Sequence, residues 1–368
     1  MATETLSLRA LNRATLARQL LLARQRVGVV DAIERLGGLQ AQEAKPPFAA
    51  LWSRLDGFTR EELGTALQAR EVVRGTLMRG TLHLVSAHDF CALRSALAPV
   101  LAQGLRALGE RAEGLDLEAV LPVARKLLAK GPLTFTELRA LLLEAFPHVH
   151  ERALGFAVRM HLPLVIVPTD DPWSFRSPSR FTLAASWLGT DIVEAGSSEA
   201  LVRRHLAAFG PATTADVQAW SGSKGLGTVI DGLRPELVVF RDARGRELFD
   251  LPDAPRPDPE TPVALRLVAP FDNVLLSHVD TTRILPAEHR GRLMTQNGLV
   301  PGTYLVDGFV QGTWKLQTAG KRAATLGVTP FGKTTKKTRT ALTREGERLL
   351  AFAAPAATRR AVELTAGG

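Results

Sequence analysis

The sequence predicts an α+β chain: three tandem winged-helix motifs, then a C-terminal β-rich domain. Three observations carry that reading. Gly131-Pro132-Leu133-Thr134-Phe135-Thr136-Glu137-Leu138 returns as Gly210-Pro211-Ala212-Thr213-Thr214-Ala215-Asp216-Val217, each after a helical stretch. Both copies stop one helix and cap the next, with a threonine followed three positions later by an acid. Helices followed by a two-stranded alternation recur along the chain, and such repetition outweighs any single motif. Last, the Pro-rich acidic stretch 252–262 (PDAPRPDPETP) separates these repeats from a region of strand-like alternation. The units are 1–115, 116–195, 196–252 and 263–368.

Residues 8–27 place apolar side chains at helical spacing and carry five arginines, which predicts an amphipathic helix with a basic face. Asp31-x-x-Glu34 has the form of a capping box for a short helix, Ala32 to Leu36, that Gly37 and Gly38 end. It stands where the capping threonines stand in the other units. Gln40 and Gln42 follow, just before Pro46-Pro47. The flanking glycines and prolines favour extended backbone, on which both amides point to one side. Helices are expected over Phe48–Leu55 and Thr59–Ala69, the second capped by Thr59 with Glu62. Val72–Val85 alternates and turns near Arg79-Gly80, a β-hairpin.

The second unit has helices Leu117–Lys130 and Glu151–His161, then the strand pair Leu164–Pro168 with Arg180–Ala184. The third has a basic helix, Leu201–Phe209, then Lys224–Leu233 and the pair Leu237–Arg241 with Glu247–Leu251. In the last region Val263–Leu276, Gly302–Gln317 and Arg322–Val328 alternate, with turns at Asp307-Gly308 and Gln311-Gly312. A basic run, Lys333, Lys336, Lys337 and Arg339, precedes a helix near Thr343–Phe352.

With 368 residues, 45% hydrophobic and 23% charged, the chain is globular and long enough for several cores. No apolar run reaches the roughly 18 residues of a membrane span, and no apolar export signal is seen. A cytoplasmic, nucleoid-associated protein is expected. Cys91 is the one cysteine, a small hydrophobe suited to a reducing compartment. The formal charge of +9 comes mostly from arginine, whose guanidinium grips phosphate with two bonds. That balance points to a polyanion, above all nucleic acid.

Gly327-x-x-x-x-Gly332-Lys333-Thr334 matches the phosphate loop in form, but Pro330 sits inside it and little chain follows. A basic turn that touches phosphate is the better reading. His148-x-His150 lacks further ligands, so neither metal nor cofactor is expected. No Gly-x-Ser-x-Gly or other covalent nucleophile stands out. Basic helices and hairpins remain, which bring arginines and backbone amides to phosphates. The DNA-contacting candidates are Arg79, His83, Arg203, Arg204, Arg283, Lys333, Lys336, Lys337 and Arg339.

Four blocks stand in order: Gly-Gly-Leu-Gln-Ala-Gln at 37–42, Arg-Gly-Thr-Leu-His at 79–83, Pro-Phe-Asp-Asn at 270–273 and Asp-Gly-Phe-Val-x-Gly-Thr-Trp at 307–314. Together they resemble the winged-helix DNA glycosylases of the AlkZ/YcaQ superfamily, over about residues 8–352. The resemblance implies three winged helices forming a C-shaped basic DNA channel, completed by a C-terminal β-domain. It implies excision of N7-alkylated purines from double-stranded DNA, with unhooking of interstrand crosslinks in some members. Nothing in the sequence suggests a coiled coil, so a monomer with no obligate protein partner is expected. The family's Gln-aliphatic-Gln catalytic motif maps onto Gln40 and Gln42, with the small Ala41 between them. Where the family has Asp-Arg-x-Arg, this chain has Asp280-Thr281-Thr282-Arg283.

The chemistry is sound. N7 alkylation makes the purine a cation that leaves without strong acid catalysis. Water must then be held under C1′ and the developing sugar cation stabilised. A neutral amide can orient water, but it is a poor general base, so uncharged bases should resist such a site. The alternative is a non-enzymatic winged-helix DNA-binding protein, a transcriptional regulator, and a third possibility is a small-molecule binder on the same fold.

Overall fold

One order of elements occurs three times in the computed structural model, which describes residues 4–192, 197–293 and 299–365. Strand β1 (Thr5–Leu6) and helix α1 (Leu8–Arg18) open the chain. Then come α2 (Val29–Arg35), the short strand β2 (Leu39–Gln40), α3 (Pro46–Arg54), α4 (Arg60–Gln68), β3 (Val72–Thr76) and β4 (Leu82–Ser86). After α5 (Ala87–Ala96) and α6 (Ala98–Gln103) the order returns as α7 (Leu117–Ala129), β5 (Leu133–Thr134), α8 (Phe135–Ala145), α9 (Glu151–His161), β6 (Leu164–Ile166) and β7 (Arg180–Leu183). Beyond α10 (Ala184–Leu188) it returns again: α11 (Ser198–Phe209), a bridge at Ala212, α12 (Thr214–Ser221), α13 (Leu226–Leu233), β8 (Val238–Asp242) and β9 (Glu247–Asp250). Each time the short segment pairs antiparallel with the last strand: Leu39 with Leu84, Leu133 with Phe181, Ala212 with Phe249. That is the order of a winged helix. The first two hairpins join through Gly75 and Val165 into a six-stranded sheet.

Capping boxes form at Thr59 with Glu62, Thr134 with Glu137 and Thr213 with Asp216. Asp31-x-x-Glu34 is not one, a correction to the sequence reading. Helix α2 starts at Val29 with Gly28 as its N-cap, which leaves Asp31 inside the first turn. The residue standing where Thr134 and Thr213 stand is Gln40, which ends β2 as Thr134 ends β5. Residues 41–45 intervene before α3, so Gln40 caps no helix and its amide is available for other work.

The expected long basic helix over 8–27 also needs correction. Helix α1 stops at Arg18, and Asn12, Arg13, Thr15 and Arg18 are buried. Arg18 makes two bonds to the buried Asp250 carboxylate, at 2.7 and 2.8 Å. Helical spacing of arginines looks the same whether the guanidiniums meet water or carboxylates from distant sequence. Here they meet carboxylates, which is what makes their burial tolerable.

The last region forms a five-stranded sheet of β10 (Arg266–Val268), β11 (Gly302–Val306), β12 (Phe309–Ala319), β13 (Ala323–Pro330) and β14 (Arg359–Leu364). One helical turn, α14 (Arg290–Leu293), and a long helix, α15 (Lys336–Ala353), complete it. Asp307 and Gly308 take φ of +48° and +85°, the paired left-handed residues of a tight hairpin turn. Gln311-Gly312 is no turn but part of β12, and Val263–Leu276 contributes only three strand residues. Lys336, Lys337 and Arg339 lie on α15, which Thr335 caps. Strand β14 was not expected; it runs parallel to β13 after the α15 crossover. Gly327 to Pro330 lie within β13, so ladder bonds occupy the backbone that a phosphate loop would need free.

The largest core unites the first repeat with this sheet, burying Phe48, Trp52, Tyr304, Trp314, Leu326 and Leu350 together. The catalytic candidates therefore stand on the same packed body as the distant C-terminal elements.

Candidate active site

Two glycines set the strand that carries Gln40. Gly37 and Gly38 take φ of +68° and +83°, and a Cβ on Gly38 would lie 2.5 Å from Val85 Cγ1. Neither condition suits a residue with a side chain. β2 then pairs Gln40 opposite His83, and Ala41 N donates to Leu82 O at 2.7 Å. Ala41 is fully buried, Gln40 half-buried and Gln42 exposed. A small middle residue is what the packing accepts.

Each amide is oriented by a donor. Gln40 Oε1 accepts from Arg79 Nη2 at 2.9 Å, and Gln42 Oε1 accepts from the Leu82 backbone N–H at 3.2 Å. A guanidinium and a backbone N–H can only donate, so in both cases the oxygen faces the partner and the NH2 faces away. Neither NH2 has a protein partner among the described residues.

Two arginines clamp the segment. Arg74 Nε donates to Ala41 O at 2.8 Å and its Nη2 to Gln42 O at 3.1 Å, while its guanidinium lies over the Phe175 ring. Arg79, at the hairpin tip with a left-handed φ of +56°, donates from Nη1 to Trp220 O at 2.5 Å as well as to Gln40. Burial lowers both guanidiniums to about 10, so both remain charged at neutral pH. The doubled Arg-Gly-Thr at 74–76 and 79–81 is the sequence signal that could have found this clamp.

Support also arrives from the far end of the chain. Asn273 donates from Nδ2 to the backbone oxygens of Gly38 and, at 3.2 Å, Leu36. Its neighbour Asp272 makes two 2.8 Å bonds to Arg54 on α3, with both side chains fully buried. The Pro-Phe-Asp-Asn block is thus a brace for the glutamine segment.

The remaining site residues divide. His83 and Arg283 are 1% and 5% exposed, which corrects their assignment to DNA contact. Arg283 Nη1 donates to Pro211 O at 2.9 Å, and His83 Nδ1 to Thr81 O at 3.1 Å. Arg79 is committed to Gln40 and Trp220, and Arg204 to the Asp89 carboxylate and Glu34 O. Arg203 pairs with Glu236 at 2.8 Å. Lys333, Lys336, Lys337 and Arg339 are exposed, with no ion-pair partner among the described residues. Glu34, His88 and Asp89 form the one grouping of metal-type ligands among the described residues, and Arg204 already neutralises Asp89 there.

The helix–strand order that recurs three times, with an oriented pair of neutral amides on the first repeat, is consistent with a DNA-binding chain of the winged-helix type. The model of the AlkZ-like DNA glycosylase family matches residues 33–352, and the chain belongs to that family. The solved structure of Streptomyces sahachiroi DNA glycosylase AlkZ is similar, with a TM-score of 0.80 and 23% identity over 98% of this chain and 100% of that one. At that identity the likeness shows a shared fold. No curated protein matches the chain in sequence. The chain is accordingly a DNA-repair glycosylase, a hydrolase with DNA as substrate. No helix among the described residues is long and apolar enough to cross a membrane.

Proposed function

We propose that this glycosylase hydrolyses the N-glycosyl bond of N7-alkylated purines in double-stranded DNA, with Gln42 positioning the water and Gln40 supporting the water or the sugar. The bonding of the pair carries the reading. Each oxygen is held by a pure donor, and among the described residues no carboxylate or imidazole bonds to either amide. His83, across the strand, is buried; desolvation and the Arg79 charge lower it to about 3. A neutral, enclosed imidazole supplies no proton at physiological pH. Such a site suits a leaving group that already carries its charge. With water as the nucleophile the enzyme would be monofunctional and form no covalent imine.

An open groove fits the same reading. Neither Gln40 nor Gln42 lines the cavities bounded by Asp242 and Arg244, by Trp173 and Phe352, by His148 and His150, or by Tyr304 and Thr334. A base still tethered to the opposite strand cannot swing into a deep pocket, so an open site also admits crosslinks. The three repeats, as units 1–115, 116–195 and 196–252, would line the DNA channel. The β-rich region, 263–368, would bring Lys333, Lys336, Lys337 and Arg339 to the phosphates.

The test is substrate charge. Duplexes with one N7-methylguanine, one hypoxanthine or one uracil should give base release from the first alone, and borohydride should trap no protein–DNA adduct. Equal release of all three would overturn the proposal. Tight binding to one DNA sequence without release of any base would favour the regulator instead.

A further inference from the structure

We infer that Arg79 is the positioning residue of the amide pair, and that it divides the work between the two glutamines. The inference rests on the proposed roles of Gln40 and Gln42. Arg79 spans two repeats. Its Nη1 takes Trp220 O at the C-terminal end of α12, and its Nη2 takes Gln40 Oε1. The following Gly222 has φ of +82°, and a Cβ there would lie 3.3 Å from Arg79 Cα, so the hairpin tip and the helix end are in close contact. The helix end is a fixed anchor, because its last carbonyls lack intrahelical donors and favour a cation.

The consequence is chemical as well as geometric. A charged donor on Gln40 Oε1 draws density from the amide, which weakens that oxygen as an acceptor and strengthens the free NH2 as a donor. Gln42 Oε1 receives only a neutral backbone N–H, at the longer distance of 3.2 Å. Gln42 is therefore the better acceptor for a proton of the attacking water. Gln40 acts through its NH2 on an oxygen of the sugar or of the water. Arg79 has no carboxylate partner among the described residues, so its charge is not cancelled beside the amide.

The test is a double-mutant cycle on single-turnover base release from an N7-methylguanine duplex, with duplex Kd measured in parallel. Arg79→Met should slow release at saturating enzyme by about 10- to 100-fold, the cost of a misplaced catalytic group. Kd should stay within about threefold, because Arg79 is committed to Gln40 and Trp220 and grips no phosphate. Arg79→Lys should restore part of the rate. In a Gln40→Ala background, Arg79→Met should change the rate by less than about twofold, because coupled residues are not additive. Multiplying effects in the cycle, or an effect confined to Kd, would overturn the inference. Should Arg79→Met fail to fold, the Arg79→Lys arm of the same cycle decides it. A wild type that releases no base would sink the proposed function itself, a separate outcome. The cycle read in Tm would then decide whether Arg79 acts through Gln40, additive Tm losses overturning that coupling.

Discussion

Asn273 holds Gly38: its side-chain amide donates to the Gly38 carbonyl, tying the Pro-Phe-Asp-Asn block to the turn that sets Gln40. Asn273→Ala would leave the buried carbonyls of Gly38 and Leu36 without this donor. The expected cost is about 1–3 kcal/mol of stability, mainly from the Gly38 carbonyl, since Leu36 O keeps a 3.4 Å bond from Gln19 Nε2. Chemical denaturation checks the stability, and single-turnover base release should fall with it because the turn beneath Gln40 loosens.

Arg54→Met should be far more damaging. It strands the Asp272 carboxylate, which is fully buried and takes both its strong bonds from Arg54. Removing one partner of such a pair costs roughly 3–5 kcal/mol. A variant with an unchanged Tm would contradict that account.

Stability should fall on mild acidification. Burial lowers His83 to about 3 and His205 to about 4, and burial with the Arg283 charge also lowers His278. Unfolded imidazoles bind protons below about 6.5, whereas the folded ones wait until far lower pH. The unfolded state therefore binds more protons in the window between, and stability drops as pH falls from about 6.5 toward 4. Asp280 acts later. Despite its desolvation, hydrogen bonds from Thr282 and Arg246 hold it at about 2, so its contribution is lost below the ordinary carboxylate range. A Tm that stays flat from pH 7 to about 4.5 would refute the histidine account.

Lys333, Lys336, Lys337 and Arg339 should act on affinity rather than chemistry. Neutralising all four should weaken binding to any duplex and reduce the salt slope by about one for each phosphate that is no longer neutralised. Release at saturating enzyme should be unchanged. An unaltered slope would remove these residues from the DNA face.

Local signals read well from the sequence. The Thr59, Thr134 and Thr213 boxes and the extended Gln40 segment all follow from short-range chemistry, and each formed. What the sequence hid was partnership over distance. The arginines of α1 read as a basic face and Arg283 as a DNA contact, and nothing near Arg54 marks it as buried, yet the partners of Arg18, Arg54 and Arg283, namely Asp250, Asp272 and Pro211 O, lie hundreds of positions or a whole repeat away. Asp31-x-x-Glu34 matched a capping box in spelling, but the true counterpart of the capping threonines was Gln40. Strand β14 was missed because its alternation is short and charged, and only pairing with β13 reveals it.

Gln40 and Gln42 are proposed to carry the hydrolysis. The most direct measurement is single-turnover release of N7-methylguanine by the wild type and by Gln40→Ala/Gln42→Ala, with both proteins shown to be folded and to bind the duplex equally. The wild type should release the base, and the double variant none above the spontaneous rate. Full activity in the double variant would contradict these roles.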